Sequence, residues 1–331
     1  MESLCIAVPR EKAEKVRQEM MEKKLLRTDL KIRHDRQYVY IPVVEGADIK
    51  DAVLKKMDFE EVKKEKIFRE LIEPNLPRGV KISSFDVIGD IAIVRLPEEL
   101  IEHKEKIGNA ILSAHKSIKV VCMDNGVVDD YRVRDVKVIA GEERTETLHK
   151  EHGVKIKVDI AKVYYSPRLA TERYRIARYV KEGDVVIDMF AGVAPFSLII
   201  AKLSRPSHIY AIDINPVAVK YASLNVKENK FGNIIEVIEG DARDVVPSLG
   251  KADHIIMNLP HSSHEFFSLA ARHGKIIHYY EIIEKNRIEE RFKWLRKEAS
   301  NQGKKMDVMH WRIVGSYSPS KVKIGADLLI H

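Results

Sequence analysis

The chain has 331 residues, more than one typical domain, so two or three domains are expected and core size is not limiting. With 45% hydrophobic and 32% charged residues it reads as a soluble globular protein. No apolar run approaches a membrane span and the N-terminus lacks a signal-peptide core, which points to the cytoplasm. The net charge of +7 favours a polyanionic partner, and the isolated Cys5 and Cys122 argue against a disulfide framework or a zinc site.

Residues 1 to about 45 read as a small β-α-β-β unit: a strand over Ser3 to Val8, a charged amphipathic helix over Glu11 to Lys24, and a hairpin over Leu30 to Val44 turning near His34. So small a unit suits recognition better than catalysis. The charged stretch Asp48 to Glu73 reads as helical and ends at Pro74-Asn-Leu-Pro77, a linker. These pieces form an N-terminal α+β domain, residues 1–73.

A middle α+β domain, residues 78–163, follows. Phe85 to Pro97 reads as strand, turn or bulge at Gly89, then strand. Glu98 to His115 repeats apolar residues at helical spacing, and strands are expected over Ile118 to Cys122 and Arg134 to Ala140. Between those strands, Met123 to Tyr131 reads as a loop, with Arg132 and Arg134 two apart just after it. His149 and His152 read as part of a solvated turn, since no third ligand stands at a metal-binding spacing.

The third domain, residues 164–331, is organised around Asp184-Val-Val-Ile-Asp188-Met-Phe-Ala-Gly192-Val-Ala-Pro195. This is a buried strand, a glycine turn and a helix start, a nucleotide-type pocket in which backbone N–H groups approach a ligand. Further strands end at Asp213, at Glu239-Gly-Asp241-Ala242 and at Asn258-Leu-Pro260. An acid at the second strand end suits two ribose hydroxyls, and a carboxylate with adjacent N–H groups suits an adenine edge. A fifth strand over Lys275 to Ile283 and two final strands over Met306 to Ser316 and Lys321 to Ile330 complete a doubly wound α/β sheet. It is mostly parallel and closes in an antiparallel hairpin.

These strand-end motifs resemble those of class I S-adenosylmethionine-dependent methyltransferases. More narrowly, Tyr164-Tyr-Ser-Pro-Arg168-Leu-Ala-Thr-Glu172-Arg173 with Phe85-Asp-Val-Ile-Gly-Asp-Ile-Ala-Ile resembles the archaeal and eukaryotic tRNA (guanine-N1-)-methyltransferases acting at position 37. The resemblance spans nearly the whole chain. It departs at Ala194, where such loops more often carry a second glycine, so an ordinary backbone conformation is expected there.

The resemblance implies S-adenosylmethionine as cofactor, tRNA as partner and no metal. Phe190 and Gly192 are expected beside the methionine part with Asp188 and Arg173, Asp213 at the ribose, Ile214 at the adenine face, and Asp241 with Ala242 at the adenine edge. Guanine N1 carries a proton at neutral pH, so its methylation needs a base and a donor for the charge that builds on the neighbouring oxygen. Glu172 is the candidate base, with a pKa raised by burial; its alternative is a carboxylate stabilised by the helix dipole. Arg132, with Arg134 as runner-up, is the candidate for the guanine oxygen. Asn258 orients the target nitrogen, with Pro260 stiffening its turn. Tyr164 and Arg168 fall near the flipped nucleoside, in stacking and phosphate-binding roles. Basic residues in Arg10 to Lys24 and Lys31 to Arg36 suit the tRNA elbow or backbone, and a monomer is expected. Two other readings stay open. One is an aminocarboxypropyl transferase or methyltransferase acting on a tricyclic intermediate at the same tRNA position, and the other a non-catalytic RNA-binding protein.

Overall fold

The computed structural model describes residues 2–23, 25–35, 37–44, 53–60, 85–128 and 133–331. Arg132 and the Pro74–Pro77 linker lie outside them. The chain forms two compact units, residues 1–75 and 76–331.

In the first unit, β1 (Glu2–Pro9) is followed by α1 (Ala13–Glu22), β2 (Arg33–His34), β3 (Tyr38–Pro42) and β4 (Val53–Asp58). The strands form one antiparallel sheet in the order β2-β3-β1-β4, with Ile6, Val8, Met20, Ile41 and Val43 as its core. The helix expected over Asp48 to Glu73 is corrected within the described residues. Val53–Asp58 pairs along β1, Cys5 opposite Lys55, as an edge strand with Lys55 and Lys56 exposed. Lysines are common at sheet edges because they discourage further pairing, so the charge that suggested a solvated helix fits an edge strand equally well.

The second unit begins with a sheet in the order β5-β6-β7-β8, formed by β5 (Phe85–Ile88), β6 (Ile91–Val94), β7 (Val120–Val128) and β8 (Val133–Gly141), with α2 (Lys104–Ala114) between β6 and β7. The loop expected from Met123 is strand as far as Val128. Gly126, at φ +124°, sits in a register shift that lets the acidic stretch stay paired with β8. Next come β9 (Glu146–Glu151) and β10 (Val154–Asp159), a hairpin turning at His152 and Gly153. The reading of His149 as part of a solvated turn is therefore corrected. It lies in β9, and its Nδ1 accepts the Gly89 N–H at 3.0 Å.

After α3 (Ala170–Tyr179) comes the main sheet, in the order β13-β12-β11-β14-β15-β17-β16. Its strands are β11 (Val185–Asp188), β12 (His208–Asp213), β13 (Ile235–Glu239), β14 (Ala252–Met257), β15 (Gly274–Glu284), β16 (Met306–Ser316) and β17 (Lys321–Ile330). Pairing is parallel from β13 to β15 and antiparallel at β17 and β16. Crossovers run through α4 (Pro195–Ser204), α5 (Pro216–Glu228), the short α6 (Ala242–Val245) and α7 (Ser263–His273), and α8 (Ile288–Asn301) precedes the terminal hairpin. One apolar cluster joins Ile88, Ile91, Val120 and Cys122 to Val154, Ile156, Val186, Ile199 and Ile209. Residues 85–163 thus share a core with the main sheet. The second cluster packs β14, β15 and β17 against α7 and α8. Chain order reverses between β11 and β14, which opens the crevice at the carboxyl ends of the strands where doubly wound sheets bind ligands.

The glycine loop departs from expectation. Ala194 has φ +64° and ψ +36°, left-handed, and is fully buried at the start of α4. Its N–H donates to Ala191 O at 2.8 Å and its carbonyl accepts from Leu198 at 3.0 Å. Those bonds and the buried methyl offset a left-handed cost of about 1 kcal/mol.

Candidate active site

The carboxyl ends of β11, β12, β13 and β14 border a cavity of about 460 Å³. It is lined by Tyr164, Arg168, Arg173, Phe190, Gly192, Asp213, Ile214, Asp241, Ala242, Asn258 and Pro260 among others. Eleven residues singled out in the sequence are thus brought together by strand ends and by the segment entering α3.

Asp213 anchors the donor end. One carboxylate oxygen accepts the Gly192 N–H at 2.6 Å and the other the Asn215 N–H at 2.9 Å. Burial pushes its pKa upward and the two N–H donors pull it back. Each oxygen keeps a second acceptor site, which suits a ribose diol. Gly192 has φ +56°, a conformation that strains any side chain. Ile214 is 53% exposed at the rim, and Phe190 meets Phe266 edge-to-face at 4.9 Å. Asp241 caps α6 through the Arg243 N–H at 2.8 Å and pairs with the Arg243 guanidinium at 2.7 Å. Acid, apolar rim and glycine turn together fit S-adenosylmethionine.

Asp188 is not among the lining residues. It is fully buried, bound by Ser197 Oγ at 2.9 Å, and burial raises its pKa to about 7. Arg173 lines the cavity, but both arms of its guanidinium hold Glu151 at 2.6 Å, and the sequence reading did not include that glutamate. Tyr165 also donates to Glu151, at 2.8 Å; burial alone would raise the glutamate's pKa, but His149, Arg173 and Tyr165 together hold it at about 2.

At the acceptor end, Asn258 stands in a turn braced by Ile282 N–H to Pro260 O at 2.7 Å and by Ser263 N–H to Leu259 O at 2.8 Å. Lys323 of β17 donates to Asn258 Oδ1 at 3.1 Å. His261 and Tyr317 meet edge-to-face at 5.6 Å and both line the cavity. Arg168 lies largely exposed, its Nε 2.9 Å from Asp86. Arg134 is not among the lining residues: it is held by Asp124 at 3.1 Å and by the same Asp86 at 3.3 Å.

Glu172 is buried and outside the lining. It pairs with Arg312, accepts from Tyr280 Oη at 2.8 Å and from Arg175 Nε at 3.3 Å. Burial raises its pKa, but the two arginines and the tyrosine outweigh it, so the carboxyl sits below its ordinary range. That direction corrects the expected upward shift. Arg175 also grips Asp327 at 2.8 Å, which accepts from His278 at 2.7 Å, and His278 meets His254 at 3.1 Å. His278 and Asp327 are lone polar residues inside apolar strand runs, the signal by which sequence could have found them.

Three families match the chain: the TRM5/TYW2 methyltransferase domain over residues 147–309, the TYW2 N-terminal domain over 65–145, and the tRNA methyltransferase 5 N-terminal domain over 5–51. The tRNA (guanine(37)-N(1))-methyltransferase Trm5b of Pyrococcus abyssi is 38% identical, with 99% of each chain covered. The tRNA(Phe) (4-demethylwyosine(37)-C(7)) aminocarboxypropyltransferase of Methanocaldococcus jannaschii is 35% identical over 73% of this chain and 94% of its own. Among solved structures, Pyrococcus abyssi Trm5b superposes with a TM-score of 0.75 at 38% identity, covering 99% of both chains. aTrm5 in complex with tRNALeu gives 0.70 at 34% identity, covering 99% of this chain and 100% of the other. Methanocaldococcus jannaschii TYW2 in complex with AdoMet gives 0.57 at 30% identity, over 74% of this chain and 99% of the other. Full-length likeness to Trm5b and the strand-end cavity agree: the chain belongs to the Trm5 family of S-adenosylmethionine-dependent tRNA methyltransferases.

Proposed function

We propose that the protein transfers a methyl group from S-adenosylmethionine to N1 of the guanosine at position 37 of tRNA. The observation that carries this is one cavity in which Asp213 and Asp241 line the donor side while Asn258, Tyr164 and Arg168 line the acceptor side. When bound, S-adenosylmethionine supplies an electrophilic methyl carbon on a sulfonium. This chain's task is then to hold the target base in line and remove its N1 proton. Glu172 serves as the base. Its carboxylate lies behind the cavity lining, held by Arg312 and Tyr280, so this role requires the Arg312 pair to open and the carboxylate to turn toward the target base; ionised at neutral pH, it then accepts the proton. The N1 electron pair forms the N–C bond as the C–S bond breaks, leaving S-adenosylhomocysteine. Arg132 supplies the donor for the guanine oxygen. Arg134, held by Asp86 and Asp124, is less suited to that role.

tRNA is the partner. Arg168, largely exposed at the cavity, meets a phosphate near the flipped nucleoside, while Tyr164 stacks on its base. The first unit contacts the elbow. Arg17, Lys23 and Lys31 there are paired with the carboxylates of Glu14, Glu19 and Glu60, whereas Arg10 and Arg33 bond to His34 Nδ1 and Asp58 O and keep their charge for a phosphate. The protein works as a monomer, in three parts bounded near residues 73, 78 and 163, and in the cytoplasm. Among the described residues, no helix is long and apolar enough to cross a membrane.

The 35% identity to a tRNA(Phe) (4-demethylwyosine(37)-C(7)) aminocarboxypropyltransferase, over 73% of this chain, favours aminocarboxypropyl transfer as the second reading. The co-product separates the two. S-adenosylhomocysteine from incubation with tRNA supports methyl transfer, and methylthioadenosine would replace it with the alternative.

A further inference from the structure

The Lys323 contact fixes which way the Asn258 amide faces. An ammonium only donates, so the amide atom 3.1 Å from Lys323 Nζ must be oxygen. With Oδ1 engaged, the amino end, Nδ2, is the group offered to a base in the cavity that both residues line. Guanine presents a carbonyl oxygen beside N1, whereas adenine presents an amino group there. A fixed donor pairs with the first and leaves two donors facing each other with the second.

Charge makes the arrangement more than a filter. Removing the N1 proton moves negative charge onto that carbonyl oxygen, and an amide polarised by an ammonium on its oxygen is a stronger donor toward it. Tyr280 lies between the two ends of this chemistry: its ring centroid is 5.4 Å from Lys323 Nζ, and its hydroxyl donates to Glu172 at 2.8 Å. The ring is fully buried, so it sets Lys323 relative to the carboxylate.

We propose that Lys323 is a positioning residue that locks Asn258 as a second hydrogen-bond donor, in addition to Arg132, to the two-lone-pair guanine carbonyl oxygen, thereby selecting guanine over adenine and easing loss of the N1 proton. The proposal rests on guanine N1 methylation as read above. It is tested with the full-length protein in single-turnover assays, using tRNA transcripts that carry guanosine or adenosine at position 37. Lys323→Met should lower the rate on guanosine by about tenfold to a hundredfold, less than removal of a direct oxyanion donor. It should also displace the rising limb of the pH–rate profile to higher pH and shrink the preference for guanosine over adenosine. Affinity for S-adenosylmethionine by calorimetry should stay unchanged, and Lys323→Arg should restore most of the rate. Lys323→Gln supplies the same readouts if the methionine variant does not bind the donor. Normal wild-type methylation with an unmoved pH profile and base preference in the variants overturns the role of Lys323 alone. A wild type that makes no 1-methylguanosine overturns both readings.

Discussion

At the scale of single residues, the donor pocket depends on Asp213, which ties the glycine loop to β12 through the Gly192 N–H and faces the cavity with its remaining lone pairs. With Asp213 in the proposed ribose-binding role, Asp213→Ala removes charge-assisted bonds to two hydroxyls and frees the loop. The expected loss is about 3 kcal/mol, roughly a hundredfold weaker binding of S-adenosylmethionine by calorimetry. Unchanged affinity would remove Asp213 from the pocket. Such acids were legible because each ends an apolar strand and precedes a helix. The partners of Glu172 and Arg173 were not. Arg312 lies 140 residues from Glu172, and no local pattern encodes a contact between an early helix and the last hairpin. The direction of the Glu172 pKa escapes the sequence for the same reason: burial is legible from the helix, whereas Arg312 and Arg175 reach the carboxylate only in the fold.

Elements were legible where period and punctuation agree. The strands Val185–Asp188 and His208–Asp213 are mostly apolar runs bounded by Pro, Gly or Asp, and they fold where the pattern places them. The more polar Met306–Ser316 is held by its pairing along β17. The errors fall on charged strands. Val53–Asp58, the strand at Asp124 and the strand carrying His149 owe their pairing to neighbours distant in sequence, which outweighs weak local preference. The hairpin of β5 and β6 shows the same long-range tie at one glycine. Gly89 has φ +58°, and a Cβ there would stand 2.1 Å from Thr147 Oγ1, whose hydroxyl donates to Asp90 at 2.7 Å. Gly89→Ala combines left-handed strain with a clash against β9. It should destabilise the protein by roughly 2–4 kcal/mol in urea unfolding. An unchanged midpoint would show that the turn relaxes freely.

Across the whole second unit, a buried polar chain crosses the main sheet. It runs from Asp184 through His254 and His278 to Asp327, with contacts of 3.1, 3.1 and 2.7 Å. Burial first, then the neighbouring His278, lowers the His254 pKa from 6.5 to about 4, against the opposing pull of Asp184. Between those values the unfolded chain binds the proton that the folded one refuses. The His254 contribution is therefore fully present above about pH 6.5 and declines as pH falls toward 4, by on the order of 3 kcal/mol. Asp188, whose pKa burial raises to about 7, acts in the opposite sense over the same range, so the effect is read as a difference between proteins. The melting temperature of the wild type relative to His254→Gln should drop between pH 7 and pH 5, and a difference that stays constant over this range would contradict the neutral buried imidazole. The doubly wound topology was legible from strand and helix order. This chain was not, because its members lie on β14, β15 and β17 and before β11, brought together only by the sheet's spatial order.

The central claim is the atom that receives the methyl group. Incubating the protein with methyl-labelled S-adenosylmethionine and an unmodified tRNA transcript carrying guanosine at position 37, then analysing the nucleosides, tests it most directly. The account predicts label in 1-methylguanosine, lost when position 37 is changed to adenosine. Label in any other nucleoside, or undiminished labelling of the adenosine transcript, would contradict it.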